Sequence, residues 1–577
     1  MKKNLIDELK ATWYQYRWRY SYGIVMLVIA NTFLILNPIL FRRAVTEAER
    51  DPQTVWKWAI ILVVVAAISA IFRYLMRFTF IIISRDVERQ IRSQLFERIQ
   101  SQSMAFYDRH GIGELLSRLT NDITAFRELM GPGVMFPLIA LTTIIPGMIA
   151  LYYISPLLAT ATLIPFFSVP LVHLVLRKPM FNNAKAFQKL LADMSNMAQE
   201  NYSAIRIIKG YVAEGYTLEN FKKICKEMFD LAFRFEILQG LMFPLFVLIT
   251  KCANLLLVLV SGAIILKAWS TLTTADFLSF MWLQSYIFFP ILVMGWLLPI
   301  YERGRASYER LFEIYNEEIE VKDRSKESLK VSPEASIEFR HLTFTYPTGT
   351  QSVLKDIDFK IAGGKFIGIT GPVGSGKSTL IKLLNREYEI PEGMIFIGER
   401  DIHEYPLDSF HHDMVTVEQV PFLFSKSIAE NVLFGRREAT QEELVEASQF
   451  ADIHESVLEF PDKYDTLIGE RGVTLSGGQK QRVAMARAFI VNRSILLLDD
   501  IFSAIDASTE KRIFEAMKKN FAGKTVVLIT HRVTILEKMD QVVYISDGKI
   551  LEKGSPEDLQ KQNGPFAALI ELQRLVK

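Results

Sequence analysis

The sequence predicts an all-α membrane domain of six transmembrane helices, followed by a cytosolic α/β domain with an antiparallel β subdomain at its start. Three observations predict it. Half of the 577 residues are hydrophobic and the mean hydropathy is +0.19, which is too apolar for an ordinary soluble chain of this length. The apolar runs crowd residues 1–305, whereas 336–577 has the composition of a soluble protein. In that second part, apolar strands alternate with helical segments, the layout of an α/β sheet.

Six apolar stretches reach the roughly 20 residues that a bilayer span needs. They lie near 22–41, 57–83, 131–154, 156–176, 238–266 and 276–300. A tight turn at Ser155 and Pro156 joins the third and fourth, and a short loop, Lys267 to Ala275, joins the fifth and sixth. The other two connections, 85–130 and 177–237, are long, polar and helical in pattern. The first carries Arg85, Arg89, Arg92, Arg98, Arg109, Arg118 and Arg127, so the positive-inside rule puts these connections in the cytoplasm. Six spans then leave both termini cytosolic in a multi-pass protein of the cytoplasmic (inner) membrane. Arg42, Arg43 and Arg50 dissent, because this topology places them outside. Each long connection has a turn suited to a short docking helix, at Arg109–Gly113 and at Tyr211–Gly215.

Domain boundaries follow from composition: 1–315 for the membrane part, 316–335 for a charged linker, and 336–577 for the α/β part. Cys225 and Cys252 are the two cysteines; neither has metal-site or disulfide-framework spacing, and both read as packed thiols. The first apolar run follows a polar, basic lead and lacks a small-residue cleavage site, so no cleavable signal peptide is expected. The formal net charge is +2, and no nucleic-acid partner is expected.

The chemistry begins at Gly371-Pro372-Val373-Gly374-Ser375-Gly376-Lys377-Ser378-Thr379, which fits G-x-x-x-x-G-K-[ST] between a strand, Phe366–Thr370, and a helix. Glycines let backbone N–H groups curl around phosphate oxygens, Lys377 adds a point charge, and Ser378 can coordinate Mg²⁺. The strand Ile495-Leu496-Leu497-Leu498 ends in Asp499-Asp500, carboxylates suited to a metal-bound water beside those phosphates. A third element, Leu475-Ser476-Gly477-Gly478-Gln479, puts small residues at a helix start, where anions bind. One nucleotide cannot easily use both phosphate sites of one chain, so a head-to-tail dimer is expected.

With these motifs in this order, residues 336–577 resemble the nucleotide-binding domain of ATP-binding cassette transporters. The whole chain resembles a half-transporter of the type IV exporter class, the multidrug and lipid exporters. The resemblance implies further roles. Tyr346 matches the aromatic that stacks on adenine, and Gln419 the glutamine that senses Mg²⁺. Gly469-Glu470-Arg471-Gly472 matches the segment that meets the docking helices, Ser503-Ala504-Ile505-Asp506 the loop that crosses the dimer, and His531 the switch histidine at the γ-phosphate. The implied cofactors are ATP and Mg²⁺, with Ser378, Gln419 and Asp499 around the metal. The implied partners are a second half-transporter, membrane lipid and a small amphipathic cargo.

One residue departs from the pattern. Asp500 stands where the family usually has the glutamate that polarises the attacking water. The shorter side chain reads either as a slow but adequate base or, as the favoured expectation, as the degenerate site of a heterodimeric exporter, a substitution seen in one subunit of bacterial heterodimers that this chain resembles. Charges inside spans also stand out. Lys251 lines the cavity, forms a structural pair or snorkels, and Arg73 and Arg77 read as interfacial or paired, with cavity lining as the alternative. The expected function is ATP-driven export of a drug-like or lipid-like cargo. The alternatives are a gated or regulatory membrane subunit and an exporter of peptides or glycolipids.

Overall fold

The computed structural model describes residues 5–266, 272–324, 329–332, 334–469, 472 and 474–575. The loop residues 267–271, linker residues 325–328 and 333, and Glu470 and Arg471 of the segment expected to meet the docking helices lie outside them. The chain divides into two compact units. One comprises Met1–Ile99 with Gly113–Glu317, and the other Gln100–Ile112 with Glu318–Lys577.

The first unit is helical. Long helices run over Leu5–Arg50, Val55–Gln100, Pro132–Ile154, Ser168–Ser203, Glu214–Leu266 and Thr274–Asn316. Among the described residues, the runs Thr12–Arg50, Pro52–Gln100, Ile112–Ile154 and Glu214–Ile264 are long and apolar enough to cross a membrane. Pro156–Phe166 is a shorter apolar helix, opened by Ser155, whose hydroxyl caps Leu158 N. Apolar side chains gain little by meeting one another in lipid, so close approach and polar contacts hold such helices together. Both are present. An added Cβ on Gly147 would come within 2.9 Å of Ile287, and one on Gly23 within 2.9 Å of Phe80. Asn31 donates to Thr142 Oγ1 at 2.7 Å, and Ser279 donates to the carbonyl of Pro38 at 2.7 Å.

Arg42, one of the three dissenting arginines, pairs with Asp276, a buried acid that also caps the start of Thr274–Asn316 together with Thr273. Its charge is therefore answered within the fold. Lys251 is exposed on Glu214–Leu266. Short helices precede the turns read from the sequence: Met104–Arg109 comes before the first and Ile205–Gly210 before the second. The turns end these helices rather than form them, with His110 and Tyr211 as their C-terminal caps.

The second unit holds two sheets. Strands β1 (Ile337–Phe344), β2 (Leu354–Ile361), β3 (Phe366–Thr370), β4 (Ile395–Ile397) and β5 (Arg400–Asp401) come first in the chain. They are followed by β6 (Met414–Val417), β7 (Ile495–Asp499), β8 (Thr525–Ile529), β9 (Gln541–Ser546) and β10 (Lys549–Gly554). The smaller sheet is antiparallel in the order β2-β1-β4-β5. The larger has the order β10-β9-β3-β8-β7-β6 and is parallel except for the β9–β10 pair. Strands β3 and β8 are buried at every position, as continuous apolar runs covered on both faces should be. Because β3, β7 and β8 are parallel neighbours, their C-terminal ends share one edge. Loops at that edge of an open parallel sheet are where ligands bind.

Candidate nucleotide site

Three of the expected motifs leave the sheet at that edge. The loop after β3 turns through Gly371, Gly374 and Gly376, with φ of +142°, +82° and +96°. An added Cβ on Gly371 would lie 1.8 Å from the carbonyl of Ile545, and one on Gly376 would lie 2.6 Å from Leu354. Only glycine can hold that path. It feeds the helix Lys377–Leu384, whose first N–H groups face the loop. Lys377 Nζ donates to the carbonyls of Gly371 and Pro372 at 2.9 and 2.7 Å. Burial pushes its ammonium down, against the pull of Asp499 and Asp500. Val373 is almost fully exposed at the loop's tip, and Ser375 and Thr379 are buried in its base.

Asp499 ends β7 and Asp500 follows it. Burial raises the carboxyl of Asp499, opposed by a hydrogen bond from Ser378 and by the charge of Lys377. Asp500 has φ of +44°, in the left-handed region that aspartate tolerates better than most side chains. Its N–H donates to the carbonyl of Ile529 at 2.9 Å, which docks it beside β8. Burial pushes its carboxyl up and Asp499 adds to that, while His531, Gln419 and Arg532 oppose it. A raised carboxylate is a stronger base than an exposed one. Gln419 Nε2 reaches Asp500 Oδ2 at 3.3 Å. Burial lowers the imidazole of His531, as does Lys377, against the pull of Asp500.

Tyr346 stands over the base of the loop, with its hydroxyl 3.0 Å from Thr379 Oγ1. Its ring meets Tyr388 edge-on at 5.1 Å. Tyr388, which sequence reasoning missed, donates to Asp108 of the helix Met104–Arg109 at 2.7 Å. Ala105 of that helix is buried in the same apolar core as Tyr388. No sequence signal pairs two residues 280 positions apart.

The Ser-Gly-Gly segment opens the helix Gly477–Phe489. Ser476 Oγ accepts from Gln479 N at 3.3 Å, and Gln479 Oε1 accepts from Ser476 N at 2.9 Å. This reciprocal cap gives the Gln479 side chain a local job, at a position expected to touch the nucleotide. It leaves the Ser476 hydroxyl proton available. Gly478 is needed for space, since an added Cβ would come within 2.8 Å of the carbonyl of Ala504. At Gly477 the nearest atom would be at an ordinary 3.5 Å. Asp506, at the end of the loop carrying Ala504, caps the helix Ala507–Asn520, and bonds from Ser508 and Thr509 hold its carboxyl well below the usual range.

A left-handed glycine loop feeding a helix, beside two carboxylates at the end of the next strand but one, is a nucleotide-binding and hydrolysis site. The chain belongs to the ATP-binding cassette transporters. It is a multi-pass membrane exporter that couples ATP hydrolysis to transport. The family model for the ABC transporter transmembrane region matches residues 20–291, and the model described as ABC transporter matches 354–503. The chain is 31% identical to the multidrug resistance-like ATP-binding protein MdlA of Buchnera aphidicola from Schizaphis graminum, over 99% of this chain and 98% of the relative. It is 30% identical to MdlA of Escherichia coli, over 98% and 97%. It is also 30% identical to the probable multidrug resistance ABC transporter ATP-binding/permease protein YheI of Bacillus subtilis, over 97% and 96%. The solved structure of a bacterial Atm1-family ABC exporter with ATP bound is similar in fold, with a TM-score of 0.78, 25% identity, and coverage of 97% and 98%.

Proposed function

We propose that the chain is one half of a heterodimeric exporter of drug-like or lipid-like amphipathic cargo, and that its own phosphate site is the slower of two. The proposed parts are a membrane domain, 1–315, a linker, 316–335, and an ATP-binding domain, 336–577, with both termini in the cytosol. The observation that carries the reading is Asp500: a short carboxylate at the catalytic position, held by Gln419, in a chain whose Ser476–Gly478 segment is intact.

Lys377 and the loop N–H groups hold the β- and γ-phosphates, while Tyr346 stacks on the base. Ser378, Asp499 and Gln419 supply hydroxyl, carboxylate and amide oxygens, hard donors that suit Mg²⁺ when phosphate oxygens complete the set. Bound there, the ion would supply positive charge beside the phosphates. Asp500 takes a proton from the attacking water, and neutral His531 donates to the γ-phosphate. The partner's Ser-Gly-Gly segment closes over this site, and this chain's Ser476 to Gly478 close over the partner's.

Two surfaces support assembly with a second half. Ile207, Tyr211, Val212 and Tyr216, at the tip of the second cytosolic connection, are all more than 60% exposed. Val212 also has φ of +52°, a strained conformation for a β-branched residue. The ATP-binding domain carries a groove of about 530 Å³ lined by Val417, Phe422, Phe424, Phe434 and Ala488, an apolar seat for such a tip.

The test is native co-purification followed by uptake of an amphipathic dye into inverted vesicles. A second chain with glutamate at the position matching Asp500, and ATP-dependent uptake only with both present, is the expected result. Full uptake by this chain alone would refute the heterodimer.

A further inference from the structure

The helix Gly477–Phe489 carries Gln481 one turn in, and its side chain is 5% exposed. A buried amide is costly unless every polar atom has a partner. Gln481 finds all of them on two loops. Its Nε2 donates to Ser503 Oγ at 2.7 Å, its Oε1 accepts from Ala504 N at 3.1 Å, and its Nε2 also lies 3.5 Å from the main-chain carbonyl of Gln419. Gln419 is the residue whose side chain reaches Asp500, and Ser503 N donates to the carbonyl of Asp500 at 3.2 Å. On the same helix, Gly478 sits against the carbonyl of Ala504.

One buried side chain therefore joins three segments with different destinations. Gln419 serves this chain's own site. The Ser476–Gly478 segment and the crossing loop Ser503–Asp506 serve the partner's. The bonds to Ser503 and Ala504 are well within hydrogen-bond range. The contact with Gln419 is at the outer limit of a hydrogen bond, where a shift of a few tenths of an ångström makes or breaks it. Movement of Gln419 toward a phosphate is thus felt by Gln481 and by the loops it holds. We propose that Gln481 is a positioning residue that couples the two ATP sites, tying the occupancy of this chain's site to the geometry this chain presents to its partner. The inference rests on the head-to-tail reading given above.

The test is a double-mutant cycle in the full-length transporter, purified with its partner and held in nanodiscs of phosphatidylethanolamine and phosphatidylglycerol. Gln481→Glu keeps an acceptor for Ala504 N and for the Ser503 hydroxyl, but turns the contact with the Gln419 carbonyl repulsive. Gln481→Met keeps the volume and loses all three bonds, and it serves if the buried carboxylate prevents folding. Lys377→Ala empties the chain's own site, and steady-state ATPase then reports the partner's site. With Gln481 present, Lys377→Ala is expected to lower turnover several-fold. In either Gln481 background it is expected to lower turnover less than about twofold, a non-additivity that residues in one network show and independent ones do not. The same fractional loss in all backgrounds, or no loss with Gln481 present, would overturn the inference in a two-chain particle. A particle mass of one chain would overturn the head-to-tail reading itself, and the inference with it.

Discussion

Replacing Asp500 with glutamate isolates reach from every other property of the site. The substitution moves the carboxylate outward by about 1.5 Å, one C–C bond. A displacement of about 1 Å can change a positioned reaction by ~100-fold, which corresponds to about 2.7 kcal/mol of barrier. The bond from Gln419, at 3.3 Å, is on the long side and has room to tighten around a longer side chain. Against this stands the backbone: at φ of +44° the left-handed region costs L-residues about 1–2 kcal/mol, and aspartate, unlike glutamate, can offset part of it with local hydrogen bonds. The variant should therefore lose about 1 kcal/mol of stability or less while its own site speeds up by ten-fold or more, to at most ~100-fold. Single-turnover hydrolysis in the assembled dimer, with the partner's catalytic carboxylate amidated, measures that site alone. A rate within about twofold of the parent, in a protein whose melting point has dropped as expected, would show that reach does not limit Asp500.

Other expectations follow from neighbouring contacts. Gly477→Glu should leave the fold intact, because its Cβ meets only an ordinary contact, yet abolish most steady-state ATPase by placing charge in the partner's phosphate site; turnover above about half the parent's would show that the sites are assigned backwards. His531 has a lowered folded value, so in nucleotide-free protein its contribution to stability is present above the ordinary imidazole value and lost as pH falls through the folded one. Thermal melts of the parent and His531→Asn should accordingly diverge only on the acid side, and parallel curves would refute it. Tyr388→Phe keeps the ring against Tyr346 but removes the donor to Asp108; a cost of about 1 kcal/mol in thermal stability is expected, and an unchanged melting point would mean that the bond contributes nothing.

Much of this was legible in the sequence because the signals are local. The strands β3 and β7 fall within a residue of where their apolar runs put them, and the motifs leave the ends of those strands as their spacing requires. The helices after the phosphate loop and the Ser-Gly-Gly segment begin at Lys377 and Gly477, directly at the motifs, because glycine and serine at a helix start satisfy caps rather than break the helix. What stayed hidden is tertiary. Gln481 looks like one more polar residue on a helix until Ser503 and Ala504 fold onto it. Arg42 violates the charge rule until Asp276 is beside it. The left-handed backbone at Asp500 has no signature of its own, since aspartate is compatible with either hand.

The close approach of the Ala504 carbonyl to Gly478, where an added Cβ would come within 2.8 Å of it, has a bearing on how such halves can be recombined. A chimera that exchanges Ser503–Asp506 with another transporter, but keeps the native helix start, asks one loop to fit another's glycine. A graft that moves Ser476–Gln481 and Ser503–Asp506 as a block carries its own complementary surface. Exchanges of the block should give working hybrids more often than exchanges of either piece, and the two segments should behave as a single heritable module.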